Sequence, residues 1–213
     1  MALQCDVKSD KLTTQSLESA IENLLKITGQ EYDYDSFPIL QNTSSFEGSP
    51  ENTPATLAEA LLWKMGRWKA YKAFAKNFHD QKLKVTAEGG VVFSAFAKHL
   101  QNNNNPIYDQ HALRALWAIC NFTEDEQNRF KKLLFNNAEK WKNAGSGDDG
   151  SCYNIFVSHL RELCTKQDLC SQKLDRLLMP LGKSIKDYTK NKEGEKTDLT
   201  DYDRFVDLCS TPK

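Results

Sequence analysis

The segment Pro106-Ile107-Tyr108-Asp109-Gln110-His111-Ala112-Leu113-Arg114 decides how this chain is read, because it joins a loop to a helix at one definable residue. Pro106 and the run Asn102 to Asn105 before it are strong loop signals, whereas Leu113, Leu116, Trp117 and Cys120 beyond it recur at helical spacing. Asp109 therefore falls at the N-cap, where its side chain can accept a hydrogen bond from a first-turn amide. A carboxylate there lies in the positive field of the helix terminus. That placement suits plain capping, and it equally suits electrostatic stabilisation of a cation-like transition state. His111 and Arg114 follow on the same helix and stand beside Asp109 as candidate site residues.

Outward from this helix the same periodicity recurs. Thr13 to Ile27 predicts an amphipathic helix, with Leu17, Ile21, Leu24 and Leu25 on one side and Gly29 just past its end. Residues 30–54 form a long connection rich in Ser, Asn, Asp and Pro. Thr56 to Phe78 is helical in composition and divided at Gly66, and its Trp63, Trp68, Phe74 and Phe78 are expected in the core. Val91 to Leu100 carries apolar residues most of the way round, which places that helix centrally.

Thr123-Glu124-Asp125-Glu126 opens a further helix as a capping box, expected to run to about Lys142. A Gly-rich acidic loop at Ala144 to Ser151 precedes helices at Tyr153 to Lys166 and Ser171 to Tyr188, the second bent at Pro180, and a short last helix spans Leu199 to Cys209. No period-two alternation appears, so the expected fold is all-α, with the 213 residues forming one compact domain.

Composition narrows the class further. No apolar run approaches the span of a bilayer and Met1 to Ser9 lacks the blocks of a signal peptide, so a cytoplasmic protein without membrane contact is expected. Six cysteines include no CxxC pair, which points to reduced thiols. Neither a metal nor a cofactor is expected, since HExxH, a close ligand pair and an EF-hand loop are all missing. Leu181-Gly182-Lys183-Ser184 ends like a phosphate-binding loop, but Leu177 stands where the upstream glycine is required.

The net charge of −1 hides a polar arrangement of charge along the chain. Residues 1–60 hold three lysines against ten carboxylates, and residues 61–84 hold seven basic residues against Asp80 alone. In that second stretch Lys64, Arg67, Lys69 and Lys72 interleave with Trp63, Trp68 and Tyr71. Lysines neutralise phosphates and aromatic rings stack on bases, so these four basic residues are candidate DNA contacts. A solvated helix face backed by buried aromatic rings would give the same pattern.

The Pro-Ile-Tyr-Asp-x-His-x-x-Arg segment resembles the stretch that carries the catalytic aspartate in the helix-hairpin-helix DNA glycosylase superfamily, with the similarity running over about residues 82–120. It is similar to the forms found in adenine mismatch and 8-oxoguanine glycosylases. The resemblance implies a helical glycosylase-like fold and hydrolysis of an N-glycosidic bond, with Asp109 as the catalytic carboxylate and His111 and Arg114 in support. A fixed carboxylate beside the sugar of a flipped nucleotide would stabilise an oxocarbenium-like state. The hairpin here reads Val85-Thr86-Ala87-Glu88-Gly89-Gly90, in place of the family's Leu-Pro-Gly-Val-Gly. The family's lysine nucleophile would fall near Val91, between Lys84 and Lys98, so the implied chemistry is monofunctional. The competing expectation is a non-catalytic helical module that presents a surface to a protein or nucleic-acid partner.

Overall fold

A computed structural model describes residues 2–9, 11–28, 57–80, 84–85, 90–102, 104–135, 150–190 and 199–210. Among these the chain is all-α. The helices are α1 (Ala2–Lys8), α2 (Thr14–Thr28), α3 (Leu57–Lys64), α4 (Trp68–His79), α5 (Val91–Gln101), α6 (Gln110–Ile119), α7 (Glu124–Leu134), α8 (Ser151–Lys166), α9 (Ser171–Thr189) and α10 (Asp201–Ser210). None of them is long and apolar enough to cross a membrane. The expected connection at 30–54 and the loop 144–149 lie outside the described residues.

Local chemistry sets the helix ends. Thr123 completes the capping box of α7: its hydroxyl accepts from the Glu126 amide, and the Glu126 carboxylate accepts from the Thr123 amide at 2.9 Å. Gly66, at φ +70°, makes the turn that separates α3 from α4. The helix opened by Thr123 spans Glu124–Leu134, and residues 136–142 of its expected extent lie outside the described residues. As expected from the sequence, α9 is a single helix that contains Pro180. The short α1 was not expected, because seven residues carry too little periodicity to register.

The centre of the molecule is α6, where every side chain from Ala112 to Ile119 is buried. Val91 to Leu100 was expected to hold that place, but Phe93 and Phe96 of α5 stay half-exposed and α5 pairs chiefly with α4. The most extensive packing joins α6 to α9, whose other side covers α2, and α1, α7, α8 and α10 close round the rest of α6. Trp117 meets Phe130 and Phe205 edge-on, with the Phe205 ring centroid 4.9 Å away. Each fully buried leucine here, Leu113 and Leu116 among them, contributes roughly 2 kcal/mol of apolar burial.

α4 and α5 form a second layer bound by polar contacts. Ser94 Oγ donates to Asn77 Oδ1 at 2.7 Å, the Gln101 amide reaches the carbonyls of Asn77 and Phe78, and the Lys98 ammonium donates to the Asp80 carbonyl. α3 is tied to α4 by the Tyr71 hydroxyl, which donates to the buried Glu59 carboxylate at 3.0 Å. Burial and the Glu59 charge push the Tyr71 phenol up to about 12, so it remains a donor at neutral pH.

Candidate functional site

Asp109 is the N-cap of α6. Its backbone is extended (φ −149°, ψ −177°), and its Oδ1 accepts from the His111 amide at 2.7 Å and the Ala112 amide at 2.8 Å. Two of the helix's orphan donors are thereby satisfied by one oxygen. Among the described residues nothing hydrogen-bonds to Oδ2, so the carboxylate is oriented by one atom while the other stays uncommitted.

The groups round this carboxylate are basic. His111 is half-buried, and burial pulls its imidazole below the ordinary value; Lys186 and Arg114 act in the same direction against Asp109. Arg114 is only 4% exposed. Its Nη1 donates to the Gln110 carbonyl at 3.5 Å and its guanidinium lies over the Phe135 ring, 5.3 Å from the centroid. Burial brings the guanidinium down to about 10, with Asp109 and Asp201 opposing that fall. Arg114 is thus a core cation that acts on Asp109 through its field, and a phosphate in solvent is beyond its reach.

A fourth group belongs to this cluster and was missed in the sequence. Lys186 on α9 donates to the Gln110 side chain at 3.3 Å, and burial and Arg114 hold its ammonium below the ordinary lysine value. Its arrival depends on Gly182, where α9 rests directly on the His111 main chain. The sequence signal was a glycine one turn before a lysine on the buried face of this helix.

The second set of candidates lies on α3 and α4. Lys64, Arg67 and Lys69 are exposed and Lys72 is half-buried. Lys69, Lys72, Lys76 and His79 stand at i, i+3, i+7 and i+10, which aligns them along one face of α4. Trp68 stacks on Tyr71 with centroids 5.4 Å apart, Phe74 meets Phe96 of α5, and Phe74 and Phe78 are half-buried.

Trp63 corrects the expectation of a core position: it is 58% exposed, and Leu57, Leu61 and Met65 are exposed as well. Among the described residues α3 packs chiefly on α4, which leaves much of this short helix uncovered. No hydrogen bond or ion pair among the described residues joins the Asp109 cluster to the α3–α4 surface.

Lys98, the lysine nearest the hairpin on its C-terminal side, is buried with its ammonium given to the Asp80 carbonyl. The cysteines at 120, 152, 164, 170 and 209 are free thiols. Among the described residues no group of His, Cys, Asp and Glu is arranged to hold a metal. No protein-family model, no curated protein and no solved structure matches this chain.

Proposed function

We propose that this protein is a helical nucleic-acid-binding module whose contact surface is the α3–α4 hairpin. The observation that carries the reading is the line of Lys69, Lys72, Lys76 and His79 along α4, continued by Lys64 and Arg67 and flanked by the exposed indole of Trp63. The first and third of these lysines are seven residues apart, roughly 10 Å along a helix, so the row can meet more than one phosphate of a backbone. An exposed indole beside such a row provides a stacking face for an unpaired base.

Binding of labelled single-stranded and duplex oligonucleotides, followed by anisotropy, tests this. Changing Lys64, Arg67, Lys69 and Lys72 together to Gln is expected to abolish binding to both. Trp63→Ala is expected to cost about 1 to 3 kcal/mol on single strands only. Binding unchanged in the quadruple variant refutes the assignment.

A second reading, base excision of the glycosylase kind, is favoured by the uncommitted Oδ2 of Asp109 beside His111, Arg114 and Lys186. In it Asp109 would stabilise positive charge developing on a sugar whose base has left the stack. Abasic product from oligonucleotides carrying damaged or mismatched bases, formed by the wild type and lost in Asp109→Asn, would establish that chemistry. Absence of product from both proteins leaves Asp109 as a helix cap.

A further inference from the structure

The C-terminal end of α6, opposite Asp109, opens onto a cavity of about 620 Å³ between α1, α6, α7 and α10. That volume is in the range of small-molecule sites. Its apolar wall is Trp117, Phe122 and the thiols of Cys120 and Cys209, and Gln4, Asn121 and Gln127 supply polar edges. Burial pushes both thiols up to about 12, so at neutral pH they form an uncharged, polarisable surface.

Among the described residues Lys8 is the only charged side chain lining this cavity. Its ammonium reaches only the Cys209 carbonyl, at 3.3 Å, and forms no ion pair among the described residues. A smaller cavity of about 250 Å³ shares Lys8, Cys120 and Asn121. Apart from Lys8, the charged groups of that one include Lys166 and Glu162, which pair at 2.9 Å, and His159 Nε2 lies 3.1 Å from the Glu126 carboxylate. The larger chamber therefore combines an aromatic and thiol wall with one unmatched positive charge at its rim.

We propose that this cavity binds a small molecule with an apolar ring body and a single acidic group, the rings lying against Trp117 and Phe122 and the acid meeting Lys8. The site stands apart from the α3–α4 surface and does not depend on nucleic-acid binding.

Two probes that share a ring system test it: anilinonaphthalene sulfonate, which is an anion, and N-phenylnaphthylamine, which is uncharged. Fluorescence titration of the full chain is expected to show one saturable site that prefers the sulfonate by about tenfold or more. Lys8→Glu should weaken the sulfonate by about tenfold and leave the uncharged probe unchanged. Ser210→Trp, an exposed position on the cavity wall, should exclude both probes with the thermal midpoint retained. Leu61→Ser, on the exposed face of α3, should alter neither. Absence of saturable binding, insensitivity to Lys8→Glu, or loss of binding in Leu61→Ser but not Ser210→Trp would each overturn the proposal.

Discussion

Gly182 on α9 lies against the main chain of His111 on α6, so closely that a methyl group built on it would fall 2.5 Å from the His111 carbonyl carbon and nearer still to its oxygen. The two principal helices of the core thus touch backbone to backbone at this point. One turn further along α9, Lys186 is delivered to Gln110 and into the field of Arg114. Gly182→Ala is therefore expected to destabilise the protein by about 3 kcal/mol, the upper end of what overpacking costs, since main chain cannot step aside as a side chain can. Urea denaturation measures this, and an unchanged midpoint would contradict the helix contact.

The capping geometry of Asp109 separates its structural role from any chemical one. Asparagine accepts the same amide hydrogen bonds, so Asp109→Asn is expected to stay within about 0.5 kcal/mol of wild type, whereas Asp109→Ala should lose about 1 to 2 kcal/mol. Thermal melts of the pair decide it. Equal stability of all three proteins would mean that the bonds to His111 and Ala112 contribute nothing to the fold.

Two histidines, one buried and one half-buried, predict a dependence of stability on acid. His99, bonded to the Asn105 carbonyl at 2.7 Å, and His111 are both held below the ordinary imidazole value of 6.5, chiefly by burial. The unfolded chain then takes up protons first as pH falls through 6.5, so stability is full above that value and declines as pH drops toward the folded-state values. Midpoints measured between about pH 7.5 and 5, above the ordinary carboxylate range, should fall in the wild type and flatten in His99→Gln and His111→Gln. A midpoint that rises on acidification would show that the imidazoles are stabilised as cations.

Much of this fold was legible because helical periodicity, caps and glycines agree locally. Asp109, Thr123 and Gly66 each mark an end that the structure places within a residue or two of expectation. Centrality was misjudged, since α5 reads as apolar on most sides while α6 showed only a periodic apolar face, and it is the packing of α6 against α9 that makes α6 central. Trp63 was misplaced because an aromatic residue at helical spacing looks like core, whereas among the described residues α3 packs chiefly on α4 and Trp63 stays exposed. Around Asp109 the sequence supplied His111 and Arg114, which lie on the same helix. Lys186 could not be found this way, because 76 residues of chain separate it from Gln110. The cavity beside Lys8 likewise draws on four helices distant in sequence.

The central claim, that the α3–α4 surface binds nucleic acid, is tested most directly by the salt dependence of oligonucleotide affinity. Each lysine that neutralises a phosphate adds about 0.7 to 0.9 to the slope of log affinity against log salt. Affinity should therefore fall steeply with salt in the wild type, and the slope should drop by about 0.7 to 0.9 in each of Lys69→Gln and Lys76→Gln. Absence of salt-sensitive binding, or a slope that neither substitution changes, would contradict the account.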